Sequence, residues 1–142
     1  MKILALDLGD KWVGSALSDA LQITCKPYKT VECGGLDNFL ATVIPQEGVG
    51  TVLVGYPKTF SGGSSEQTLK IQKTKEELEA KFGMIGDKKI VWVLWDERLS
   101  SKRAAELHRG AKTSDEKQKS HSIAAAFILQ SYLDNLAFST LV

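Results

Sequence analysis

The first strand limits most what this chain folds into. Ile3, Leu4, Ala5, Leu6 and Leu8 form a nearly unbroken apolar run, the pattern of a strand covered on both faces. Asp7 interrupts the run. A carboxylate there is costly unless it is paired, hydrated or bound to a cation. Gly9 follows and permits a sharp turn or a close backbone approach. Residues 13–18 read as a second strand in which Gly14 and Ala16 are small enough for close packing. The first 19 residues therefore predict a tight hairpin with a carboxylate near its turn. Two readings of Asp7 are open: a strand-ending residue that bonds turn amides, or a working carboxylate.

Residues 25–31 predict a third strand, with Pro27 indicating a sheet edge. Leu36, Phe39, Leu40 and Val43 have helical spacing, so 36–45 predicts a helix, with Asp37 placed to suit its dipole. Residues 51–55 (TVLVG) read as a short buried strand. A Ser- and Gly-rich loop follows over 58–65, and Ser64 or Ser65 would cap the next helix. Ile71, Thr74, Leu78 and Phe82 form that helix's inner stripe, and Gly83 ends it. Residues 89–95 (KIVWVLW) predict another buried strand, ending at Asp96-Glu97-Arg98. A short helix is expected over 102–108, a polar mobile loop over 111–120, and an apolar helix over 122–136.

Three leading strands with hairpin-length links predict an antiparallel meander. The later strand–helix units require parallel crossovers. The expected fold is thus α/β: a mixed five-stranded sheet with helices on both faces. The first three strands would be antiparallel, and the first, fourth and last parallel. The 142 residues show no internal repeat or boundary and suit a single domain over 1–142.

Composition excludes several classes. No run of 18 apolar residues is present, so no membrane helix is expected, and the amino terminus lacks a signal-peptide pattern. A cytoplasmic protein is the default. Cys25 and Cys33 lack zinc-site spacing and read as reduced thiols in or beside a strand. The net charge of +1 is not that of a general nucleic-acid binder. Between Ser101 and His121, however, six basic residues face three acidic ones. A local surplus of this kind steers a polyanion or is simply a solvated face.

In open α/β sheets, sites form at the carboxyl ends of the parallel strands. Asp7 and Asp96/Glu97 would converge there. Two converging carboxylates repel unless a cation sits between them, which makes a divalent metal the economical explanation. Gly9–Ser15 fails as a P-loop, since Ser15 stands where Lys is required. No dinucleotide fingerprint and no nucleophile elbow appear.

Four segments together resemble the YqgF (RuvX) family of ribonuclease H-like nucleases. They are DLGDKWVGSALSD, VGYPKTFSGG, DERLSSKRAAE and KSHSIAAAFILQSYL, in family order from Met1 to about Asp134. The resemblance implies a ribonuclease H-like fold and a metal-dependent nuclease with one or two Mg²⁺ or Mn²⁺ ions. It implies a role in 5′-end processing of pre-16S rRNA during ribosome biogenesis; members have also been described as Holliday junction resolvases. Implied partners are structured RNA, branched DNA and ribosomal precursor particles, with no membrane, the chain acting as monomer or homodimer.

By the same resemblance Asp7 and Glu97 are catalytic metal ligands. His121 stands where the family usually has a third carboxylate. Neutral imidazole is a good metal ligand, so His121 either keeps the role with a softer metal than Mg²⁺ or is a helix-start residue on a diminished site. Lys11, Gly55, Pro57, Gly62, Lys102, Arg103, Arg109, Lys112 and Lys119 would contact substrate. Arg98 would pair with Asp96 and hold Glu97 in place. Trp12, where the family often has Arg, either stacks on a base or packs as an ordinary strand residue. His121 and Trp12 together motivate a rival reading, a non-catalytic RNA- or ribosome-binding module.

Overall fold

A computed structural model describes residues 1–9, 11–56, 66–96 and 114–141. β1 (Lys2–Leu8) is the middle strand of a five-stranded sheet. β2 (Trp12–Ser18) pairs antiparallel with β1, and β3 (Cys25–Glu32) antiparallel with β2. On the other side β4 (Val49–Tyr56) runs parallel to β1, and β7 (Val91–Asp96) parallel to β4. The order is β3-β2-β1-β4-β7. The predicted mixed sheet is thus the observed one. β3 lies at its edge, where Pro27 removes a backbone donor at little cost.

Strand alternation divides the core between two faces. Leu4 and Leu6 of β1, Val13 and Leu17 of β2, and Val52 and Val54 of β4 point to one side. There they meet Leu36, Leu40, Val43 and Ile44 of α1 (Leu36–Glu47) and Ile71 and Leu78 of α2 (Glu66–Phe82). Ile3, Ala5, Ala16 and Leu53 point to the other side. They meet Ala125, Ile128, Leu129 and Leu133 of the long carboxyl-terminal helix α3 (Ser114–Leu141). Gly48 closes α1 in the left-handed region (φ 67°), its N–H donating to Ile44 O. Glycine adopts that geometry without penalty.

Several expectations need correction. The polar stretch 111–120 was expected to be a loop, but its part from Ser114 onward is the first two turns of α3. A helix start that is polar in sequence offers no apolar stripe to read. Ser114, Asp115 and Glu116 are residue types that favour a helix amino terminus. The same helix continues past 136 to Leu141. The last sheet strand starts at Val91 rather than Lys89. Lys88–Lys89 (β6) instead pairs with Met84–Ile85 (β5) in a small hairpin turned at Gly86, φ 63°. β4 starts at Val49, two residues before the expected strand. The expected helix over 102–108, the loop over 58–65 and the Ser64/Ser65 cap lie outside the described residues.

Candidate active site

Asp7 sits near the carboxyl end of β1, on the face shared by Ile3 and Ala5, which is the face covered by α3. Its partner in the hairpin register is Gly14. A Cβ on Gly14 would overlap the backbone of His121 and Ser122, so glycine is what lets α3 rest directly on β2. That close approach brings His121 Nδ1 within 3.7 Å of Asp7 Oδ2, each side chain only 20% exposed. The separation is too long for a hydrogen bond; it is an ion pair when the imidazole is protonated. His121 Nδ1 is itself shielded from solvent.

The helix-start reading of His121 is corrected, since it lies two turns inside α3. It is four residues before the buried Ala125 and seven before the buried Ile128, on the helix line that faces the sheet.

The turn after β1 is braced from two sides. Gly9 N–H donates to Trp12 O at 3.0 Å, and a Cβ on Gly9 would come within 2.7 Å of that oxygen. The Cys33 thiol donates to Gly9 O at 3.4 Å, and Cys33 N–H donates to Lys11 O at 3.0 Å. The second brace was not foreseen. Cys33 is close in space only because β3 returns beside β2, which no local pattern around it signals. Lys11 is exposed, its ammonium 5.7 Å from the centre of the Trp12 ring. Cys25 has a different part. Its thiol donates to Ala126 O at 3.3 Å, and burial together with the nearby Asp134 charge pushes it up to about 11. It is a packing residue of the α3 face.

β4 and β7 end at the same edge, through the pairs Leu6–Val54 and Tyr56–Asp96. Gly55 is buried in β4 at that edge. Pro57, Gly62, Glu97, Arg98, Lys102, Arg103, Arg109 and Lys112 lie outside the described residues. Lys119 falls within α3 on the backbone alone. Among the described residues no set of three His, Cys, Asp or Glu side chains comes together. The structure therefore joins Asp7 and His121, with Lys11, Trp12 and Gly55 at the same end of the sheet.

The antiparallel β3-β2-β1 and parallel β1-β4-β7 halves of this sheet, with helices on both faces, form the fold expected of a ribonuclease H-like chain, and Asp7 lies at its carboxyl edge. Solved structures agree on the fold. The fowlpox virus Holliday junction resolvase superposes with a TM-score of 0.54 at 16% identity, covering 95% of this chain and 99% of that one. RuvC of T. thermophilus, solved in complex with a Holliday junction substrate, superposes with a TM-score of 0.56 at 12% identity, covering 96% of each chain.

Sequence comparison is more specific. The family model RuvX, described as Holliday junction resolvase, matches residues 1–135, and the chain belongs to that family. A relative from Bacillus licheniformis is 37% identical over 143 residues, covering 96% of this chain and 99% of its own. Another from Rubrobacter xylanophilus is 33% identical over 133 residues, covering 94% and 92%. Both carry the name "Putative pre-16S rRNA nuclease".

Proposed function

We propose that this chain is a metal-dependent nuclease that hydrolyses phosphodiester bonds in structured RNA, acting in 5′-end processing of pre-16S rRNA. The observation that carries the reading is the meeting of Asp7 and His121 at the carboxyl edge of the sheet. It gains weight from a family whose relatives are named for that activity. The family description and the resolvase neighbours favour a second reading, cleavage of branched DNA at the same centre.

The donor set fits a divalent ion. A carboxylate oxygen and a shielded imidazole nitrogen face each other at 3.7 Å, too far apart to hydrogen-bond one another, and both are donor types that divalent ions take. Asp7, His121 and Glu97 would hold one or two Mg²⁺ or Mn²⁺ ions. Replacing a hard oxygen donor by imidazole favours Mn²⁺. A bound ion would lower the pKa of water and offset charge on the leaving oxygen.

The chain's own residues supply position. Gly14 sets the depth of α3, the braced Gly9 turn fixes Asp7, and Lys11 offers an ammonium to a phosphate. Such contacts place a nucleic acid without reading its sequence. Lys102, Arg103, Arg109, Lys112 and Lys119 would extend that cationic edge, with Gly55, Pro57 and Gly62 approaching the backbone. Among the described residues no helix is long and apolar enough to cross a membrane. A single domain working on ribosomal precursors in the cytoplasm, as monomer or homodimer, completes the reading.

The test is cleavage of a structured rRNA precursor and a four-way DNA junction, side by side, with Mg²⁺ or Mn²⁺. Wild type should cut the RNA, with Mn²⁺ the better ion. Loss of a ligand exceeds the 10- to 100-fold typical of outer-shell changes, so Asp7→Asn should fall by at least about a hundredfold. His121→Asp should shift the preference toward Mg²⁺. An Asp7→Asn protein as active as wild type would defeat the assignment. Preference for the junction would select the second reading. Binding without cleavage under either ion would select a non-catalytic module.

A further inference from the structure

The chain has three tryptophans, and two have evident structural work. Trp92 is 5% exposed, and its indole N–H donates to Phe82 O at 3.2 Å. Trp95 packs edge-on against Tyr132 with ring centres 5.1 Å apart, and its N–H reaches Ser131 Oγ at 3.4 Å. Trp12 differs from both. It is partly exposed, and among the described residues it belongs to neither apolar cluster. Plain strand packing would have put it in one of them.

Its position along β2 is informative. Val13 points into the cluster under α1 and α2, while Gly14 touches α3. Alternation then puts Trp12 on the same face as Gly14, and so on the face that carries Asp7 and His121. Gly14 is level with Asp7. Trp12, two residues away, is therefore roughly 7 Å along the strand from that level, about two base steps of ~3.4 Å. Beside it stands Lys11, with its ammonium 5.7 Å from the ring centre, within cation–π range.

A flat apolar ring and an ammonium held together have one natural complement in a polyanionic substrate: a single nucleotide, base on the indole and phosphate on the lysine. A base can stack on a side chain only if it has left its own helical stack. We infer that Trp12, with Lys11, is a stacking platform for an unpaired base one or two nucleotides from the scissile phosphate. The enzyme then selects substrates that are single-stranded or branched at the cut over continuous duplex. This inference rests on the nuclease reading and narrows its substrate class.

The test is a binding cycle in EDTA with fluorescently labelled RNA carrying an unpaired segment, a fully paired RNA of equal length, and a series with one abasic position each. Trp12→Ala should weaken binding of the unpaired RNA roughly 5- to 150-fold and leave the paired RNA unchanged. Trp12→Phe, which keeps a stacking surface, should recover most of the loss. One abasic position should cost wild type a similar factor and cost Trp12→Ala nothing further.

In cleavage assays with metal, Trp12→Ala should raise KM far more than it lowers kcat. Wild-type binding by Trp12→Ala, or an abasic loss that multiplies with it, would overturn the platform while cleavage by wild type keeps the nuclease reading. A wild type that neither binds nor cuts any of these nucleic acids would overturn both.

Discussion

The two faces of the sheet are built on different rules. Toward α1 and α2 the strands send leucines and valines, and the helices answer with Leu40, Ile44, Ile71 and Leu78. Toward α3, β1 and β2 send Ala5, Gly14 and Ala16 beside Ile3, and α3 answers with Ala125 as well as Ile128, Leu129 and Leu133. Large residues on the first face bury much apolar area and hold the helices at side-chain distance. Small ones on the second let a helix backbone touch a strand. Close approach sets how near His121 stands to Asp7, because a Cβ at Gly14 would overlap the His121 backbone. Both faces bury apolar side chains, and the α3 face in addition positions the site.

That division predicts distinct failures. The largest loss of stability should come from Leu40→Ala, at a side chain that is 0% exposed on the α1 face. Urea unfolding should show a loss of about 2–5 kcal/mol, with Mn²⁺ affinity at 25 °C within twofold of wild type. A parallel fall in affinity would break the division. Next comes Gly14→Ala, where one methyl meets the His121 backbone. Overpacking of this sort costs about 1–3 kcal/mol. The displaced helix should in addition weaken Mn²⁺ binding more than tenfold, a ratio of effects opposite to that of Leu40→Ala.

The smallest effect belongs to the far end of the sheet, away from the site. The Asp19 carboxylate accepts the N–H groups of Ile23 and Thr24 at 2.8 and 3.1 Å, and these bonds hold it below its ordinary 3.8. A lowered carboxyl favours the fold above the unfolded pKa and loses that contribution as pH falls through the folded one. Wild-type Tm should therefore drop more steeply below pH 4 than that of Asp19→Asn, with metal affinity equal in the two proteins at pH 7. Equal acid slopes would contradict the turn's role.

These contrasts also explain what the sequence disclosed. The apolar run of β1, the small residues of β2 and the edge proline of β3 each carry a local physical signature, so the sheet was legible. Asp7 stood out because a carboxylate in that run needs a reason. The first turns of α3 were not legible, since a polar stretch looks like a loop when read for apolar stripes alone. Nor was the short β5–β6 hairpin, where two residues per strand give no period to detect. Two glycines two residues apart do different work: Gly48 caps the helix, whereas Gly50 lies inside β4, beside Met1 Sδ. His121 and Asp7 are 114 residues apart, and no spacing rule connects them. Only the family resemblance linked the two positions. The common face of Asp7, Gly14 and Trp12 could have been read from hairpin register alone, because strand period fixes it.

The most direct test of the central claim is a Mn²⁺ titration followed by the free-ion EPR signal, with wild type, Asp7→Asn and His121→Ala. If the carboxylate and the imidazole share one ion, wild type removes Mn²⁺ from solution, and each substitution weakens binding by at least about tenfold. Their combined loss should fall short of the product of the two single losses. A His121→Ala protein that binds Mn²⁺ as tightly as wild type would place the metal elsewhere and contradict the account.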